Sequence, residues 1–138
     1  MTFEECLNAV GVNTSAREWQ FAIKQIYINL SIDTQKLECL GAQGCRFAQK
    51  SIRGTVMISE RDGYVVATTG GLLIVCPATD DMPVTIMLDR KLIRVVEAES
   101  KFLKSAVNVK TNDELYEFKV GKKQLGDMEK LINKVRAR

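Results

Sequence analysis

The chain has 138 residues, a net charge of +3 and 46% apolar residues, which suits one globular domain with a core of its own. No apolar run approaches the roughly 20 residues that cross a bilayer as a helix, and so small a net charge gives no argument for a nucleic-acid partner. The charge is uneven: residues 90–138 carry 13 Lys+Arg against 7 Asp+Glu, and residues 1–89 carry 7 against 10. Part of that excess has a local cause. Lys130, Lys134, Arg136 and Arg138 fall in the last turns of a predicted helix and Asp127 and Glu129 fall earlier, which suits the helix macrodipole.

Thr2 and Glu5 have capping-box spacing, so Thr2 to Val10 reads as a short helix stopped by Gly11. Ser15 and Glu18 repeat the spacing and open a second helix. Its stripe is Trp19, Ile23, Ile26 and Leu30, and Phe21 and Ile28 lie on another side. From Ile26 to Ile32 the apolar residues also fit period two, so helix and strand both stand there. Trp19, Phe21, Tyr27 and Ile28 are large for an exposed helix. Either they pack on the chain's own sheet, over Leu72 to Val75, or they form a partner or self-association surface. Residues 1–32 are expected to be a helical arm and residues 33–138 a β-rich domain.

The first strand is expected over Lys36 to Cys45, interrupted by Gly41 and Gly44, with a loop from Arg46 to Ser51. Gly54 to Glu60 and Tyr64 to Thr68 are expected to form a hairpin about Asp62-Gly63, since glycine accepts the positive φ of a two-residue turn. Gly70-Gly71 turns again. Leu72 to Cys76 is continuously apolar, as expected of a strand buried on both faces. Pro77 to Pro83 is a polar loop, and Val84 to Leu88, Leu92 to Glu99, Val107 to Lys110 and Leu115 to Val120 are strands. Leu125, Met128, Leu131, Ile132 and Val135 make one helical stripe to close the chain. A mainly β (α+β) fold follows: an antiparallel barrel or sandwich plugged by a terminal helix.

From about Lys36 to the end, the chain resembles the bacterial pleckstrin-homology-like domains. The resemblance rests on Gly54–Ser59 with Gly63–Thr68, on Val84–Asp89 leading to Ile93–Glu97, and on Phe102–Val109 with Tyr116–Val120 and the helix. It implies a barrel of seven strands in two near-orthogonal antiparallel sheets, a C-terminal helix capping one open end, and a binding module without catalysis. Phosphoinositide-binding members of the wider family use basic residues at the first hairpin loop. Here that loop offers Arg46, Lys50 and Arg53, at a spacing that differs from the lipid motif.

The residues argue against an enzyme. There is no histidine, hence none of the commonest general base, and no phosphate-cradling glycine motif. Adjacent residues such as Lys50-Ser51 do not readily give dyad geometry. Asp80-Asp81 is too few oxygens for a hard cation and reads as loop solvation. Cys6, Cys39, Cys45 and Cys76 lack C-x-x-C spacing. They are expected to be reduced and mostly buried, with neither metal nor cofactor. Lys101, Lys104, Lys119, Lys122 and Lys123 could face an anionic partner. Phe118, however, alternates with Lys119 and should point away, so a stacking platform for nucleic acid is poorly supported. The acidic start Thr2-Phe3-Glu4-Glu5 carries no basic n-region, and a cytoplasmic setting is expected. The first expectation is a non-catalytic module that binds protein, its own copies included. The second is a peripheral membrane or anionic-ligand binder using Arg46, Lys50, Arg53 and the C-terminal lysines. A third, a small inhibitor of a nucleic-acid enzyme, is selected by nothing in the sequence.

Overall fold

The structure, a computed structural model, describes residues 1–77 and 82–136. The Asp80-Asp81 pair and Arg138 lie outside the described residues. Two helices come first, α1 (Phe3–Ala9) and α2 (Arg17–Leu30). Seven strands follow: β1 (Cys39–Ser51), β2 (Val56–Thr68), β3 (Gly71–Cys76), β4 (Val84–Asp89), β5 (Val95–Lys101), β6 (Lys104–Lys110) and β7 (Glu114–Lys119). Helix α3 (Leu125–Arg136) closes the chain. The strands form one antiparallel sheet in the order β4-β3-β2-β1-β7-β6-β5. The fold is therefore mainly β with three helices among the described residues.

Thr2 caps α1 as its spacing predicts. Its Oγ1 accepts from the Glu5 N–H at 3.1 Å, and Glu5 Oε1 accepts from the Thr2 N–H at 3.1 Å. The second capping box does not form. Ala16 is the N-cap of α2, and the Ser15 N–H donates instead to Asn13 Oδ1 at 3.1 Å. Helix α2 continues to Leu30 and ends at Ser31 in the left-handed region, φ 56°. The period-two pattern beyond Ile26 is thus a coincidence within a helix whose buried stripe is Trp19, Ala22 and Ile26.

Two expectations about the first hairpin are corrected. Residues 46–51 are not a loop: they continue β1 and pair with β7 on one side, while Arg46, Phe47, Gln49 and Lys50 pair with β2 on the other. Asp62-Gly63 is not a turn but lies inside β2, opposite Arg46 and Cys45. Glycine at 63 answers to close packing: a Cβ there would lie 2.5 Å from Cys76 Sγ and 3.0 Å from the Val75 carbonyl. The reversal falls nine residues before Gly63, at Gly54, whose φ of +96° is open to glycine at little cost. Ser51 Oγ accepts from the Thr55 N–H at 3.0 Å across it.

β1 is the centre of the sheet, and the two halves fold toward each other. Leu72, Ile74 and Leu88 from one half share a core with Val107, Val109, Tyr116 and Phe118 from the other. Met128, Leu131, Ile132 and Val135 of α3 enter the same core, so the single stripe of α3 is what closes the concave side. On the opposite side of the β4-β3-β2 half, α1 and α2 lay Phe3, Leu7, Trp19, Ala22 and Ile26 over Val66, Leu73 and Val75. Burial of each large side chain there stabilises by about 1.5–3 kcal/mol. β3 is buried along its whole length, as its unbroken apolar run predicts: Leu72, Ile74 and Cys76 face the inner core, Leu73 and Val75 the helices.

Candidate functional site

The pairing of β1 with β7 ends at Arg46 opposite Lys119. From Cys45 back to Gly41, β2 is the one strand that pairs with β1 among the described residues, and Cys39 exchanges backbone hydrogen bonds with Met1 at 2.8 and 3.3 Å. After Lys119 the chain leaves the sheet through Val120 and Gly121 and winds into α3. An open groove of about 1040 Å³ wraps the strand edge left behind. Gln43, Gly44 and Tyr64 lie on its sheet side, and Val120, Gly121 and Gln124 on its helix side. Gln43 Nε2 donates to the Gln124 carbonyl at 3.2 Å and ties the two sides together. Successive residues of an extended strand turn their N–H and C=O groups to opposite edges. Half the backbone groups between residues 40 and 45 therefore face away from β2, toward the side that β7 has left.

One end of the groove is charged. Arg46 Nε donates to Glu60 Oε1 at 2.8 Å and Arg46 Nη1 to Asp62 Oδ1 at 2.9 Å. Lys119 Nζ donates to Glu60 Oε2 at 2.9 Å. Hydrogen bonds from Lys119 and then Arg46 hold the Glu60 carboxyl below its ordinary value.

Arg46, Lys50 and Arg53 do not converge. Arg46 and Lys50 are four residues apart along β1, a separation of roughly 13 Å by strand rise. Arg46 is engaged by Glu60 and Asp62, and Lys50 Nζ lies 4.0 Å from the buried Glu117. Arg53 is exposed in the turn before Gly54. The C-terminal lysines are also mostly engaged: Lys101 with Glu99 at 3.0 Å, Lys104 with Glu117 at 2.8 Å, Lys119 with Glu60. Phe118 lies in the core, on the face away from Lys119. Of the aromatic and apolar residues singled out on α2, Trp19 is buried, its ring 5.6 Å from Tyr64 and 6.4 Å from Phe3. Phe21, Tyr27 and Ile28 stay exposed.

All four thiols are free. Burial pushes Cys39 and Cys45 up to about 12 and Cys76 to about 11, and raises Cys6. A thiol held protonated at neutral pH is a poor nucleophile. Among the described residues no group of three or more His, Cys, Asp or Glu side chains could hold a metal ion. The arrangement can bind along a strand edge. Sequence reasoning missed the groove because Gly41 and Gly44 read as interruptions of a strand. Glycine inside a strand also marks a close approach: a Cβ on Gly41 would lie 2.9 Å from Leu131 Cδ1, and one on Gly44 3.2 Å from the Tyr64 ring.

Compared with models of known protein families, the chain matches none. Comparison with curated proteins finds no match either.

Proposed function

We propose that this chain is a non-catalytic interaction module of the pleckstrin-homology-like type that binds an extended protein segment along the free edge of β1. The observation that carries this reading is the one-sided pairing of β1 from Ala42 to Cys45 inside an open groove. An extended peptide can add to such an edge through its main chain, with side-chain pockets setting specificity. A first strand at the centre of a curled seven-stranded sheet, with a terminal helix entering its concave side, supports the pleckstrin-like barrel. Free thiols suit a cytoplasmic setting. No helix of the described residues is long and apolar enough to cross a membrane.

The test is a selection of random peptides on the intact chain, followed by an NMR titration with the tightest one. Amide shifts concentrated at residues 40–46 and 120–124, with binding at least tenfold weaker in Gln124→Trp, support the reading. Shifts confined to β4 or β5, or binding indifferent to Gln124→Trp, sink it. A second copy of the chain is the other occupant that such an edge admits. Light scattering distinguishes it: a dimer that Gln124→Trp dissociates makes self-association the function.

A further inference from the structure

The β5–β6 hairpin closes on two residues. Lys101 pairs with Lys104, leaving Phe102 and Leu103 at the tip. They are 87% and 90% exposed, more than any other large apolar side chain among the described residues. Solvation does not explain them, and neither does turn chemistry. Two-residue hairpin turns favour Asn, Asp and Gly, which accept positive φ, and neither Phe102 nor Leu103 has positive φ. A local rule broken for both solvation and backbone is what a functional site looks like.

The surroundings of the tip are basic. Lys101 and Lys104 flank it in sequence. The Val120 N–H donates to the Ser105 carbonyl at 3.1 Å, which brings the segment that follows β7 beside the turn end of this hairpin. That segment carries Lys122 and Lys123, both exposed. Neither makes an ion pair among the described residues, in contrast to Lys101 and Lys104, which Glu99 and Glu117 hold.

We propose that this tip docks the protein on an anionic lipid surface, with Phe102 and Leu103 entering the boundary between headgroups and acyl chains and the neighbouring lysines facing lipid phosphates. Size selects the lipid over a protein partner. Two side chains on a narrow hairpin bury far less than the roughly 1,200 Å² of a stable protein interface. A bilayer needs only an apolar insertion beside a basic patch. This docking does not depend on the β1 groove.

The experiment is sedimentation of the full chain with vesicles of phosphatidylcholine and phosphatidylglycerol, beside vesicles of phosphatidylcholine alone. Wild type should bind the anionic vesicles more tightly, and added salt should weaken binding. Phe102→Ser with Leu103→Ser should lower the partition coefficient by roughly tenfold or more, and Lys122→Gln with Lys123→Gln by several-fold. A Leu103→Trp variant supplies a reading that does not need the double variant to fold: its extra emission should shift to the blue with anionic vesicles. No binding to anionic vesicles, binding that survives loss of both apolar residues, or an unshifted Leu103→Trp emission overturns the proposal. So does a wild-type dimer that the double serine variant dissolves with no vesicle present, which would assign the tip to a second copy.

Discussion

The outward face of this one sheet is built in two opposite ways. Over β2, β3 and β4 it is apolar: Val66, Leu73 and Val75 lie beneath α1 and α2. Over β7, β6 and β5 it is charged and uncovered. There Glu117 accepts from Lys104, Lys110 sits 3.4 Å from Glu97, and Asn108 donates to Glu99 at 3.0 Å. The change happens along β1, where Ala42 and Gly44 lie toward the helices and Arg46 and Lys50 toward the charged half. Arg46 is also the residue at which pairing with β7 begins. The helical arm is therefore part of the core on one half, while long lysine stems and paired carboxylates suffice to cover the other. The groove and the apolar tip both lie where the covered face gives way to the charged one or beyond it.

Removing the cover should have the largest effect. A chain lacking residues 1–31 would expose Val66, Leu73 and Val75, and should aggregate or lose its cooperative melt. The point version is Trp19→Ala, expected to destabilise by about 3–5 kcal/mol in a denaturant titration with the m-value kept. A change near zero would mean that α2 is only loosely seated. On the charged half, Glu117→Ala leaves Lys104 and Lys50 without their buried acceptor. Because Lys104 is one-third exposed and can turn to water, the loss should be about 1–2 kcal/mol. A loss equal to that of Trp19→Ala would erase the distinction between the two halves.

Inside the sheet, Gly63→Ala tests the close contact of β2 and β3. Its Cβ has no room beside Cys76 Sγ, and overpacking of this kind costs about 1–3 kcal/mol. Cys76→Ala in the same chain should restore part of the loss, and an unrelieved loss would trace it to the Val75 carbonyl instead. The thiols, buried at Cys39 and Cys76 and half-buried at Cys45, give a pH signature. Their folded values lie above the ordinary value of 9.0, at about 11 to 12 for Cys39, Cys45 and Cys76. The folded state therefore holds these protons more tightly than the unfolded state does. This contribution is fully present below pH 9 and is lost as pH rises toward 12. The melting temperature should fall across that window, and Cys45→Ala with Cys76→Ala should flatten the fall.

The terminal helix and the double burial of β3 were legible in the sequence, because each rests on a local period that tertiary contacts reinforce; the strand count was not, since Gly54–Glu60 and Tyr64–Thr68 read as two strands and are one, β2. Alternation placed Phe118 in the core and Lys119 outside, and an unbroken apolar run placed Leu72–Cys76 between two layers. What was not legible depends on contacts between distant residues. Asp62-Gly63 has turn chemistry, but position 63 is glycine because Cys76 crosses it, thirteen positions on. Residues 46–51 look like a polar loop because their charged partners, Glu60, Asp62 and Glu117, arrive from other strands. The groove has no motif at all: it is the space left when β7 departs from β1.

The smallest expected effect belongs to the ion pairs at the groove end. Glu60 is a third exposed, so solvent screens it, and Glu60→Gln should cost under about 1 kcal/mol at neutral pH. Its sign can still be checked. Lys119 and Arg46 hold the folded carboxyl below its ordinary value of 4.5. The stabilisation is therefore present above pH 4.5 and fades as pH falls through the folded value. Wild type and Glu60→Gln should differ most near neutrality and converge in acid, and the difference at neutral pH should shrink with added salt. If the gap persists in acid, Glu60 acts through packing, and the charged half of the sheet is held more like the covered half than its ion pairs imply.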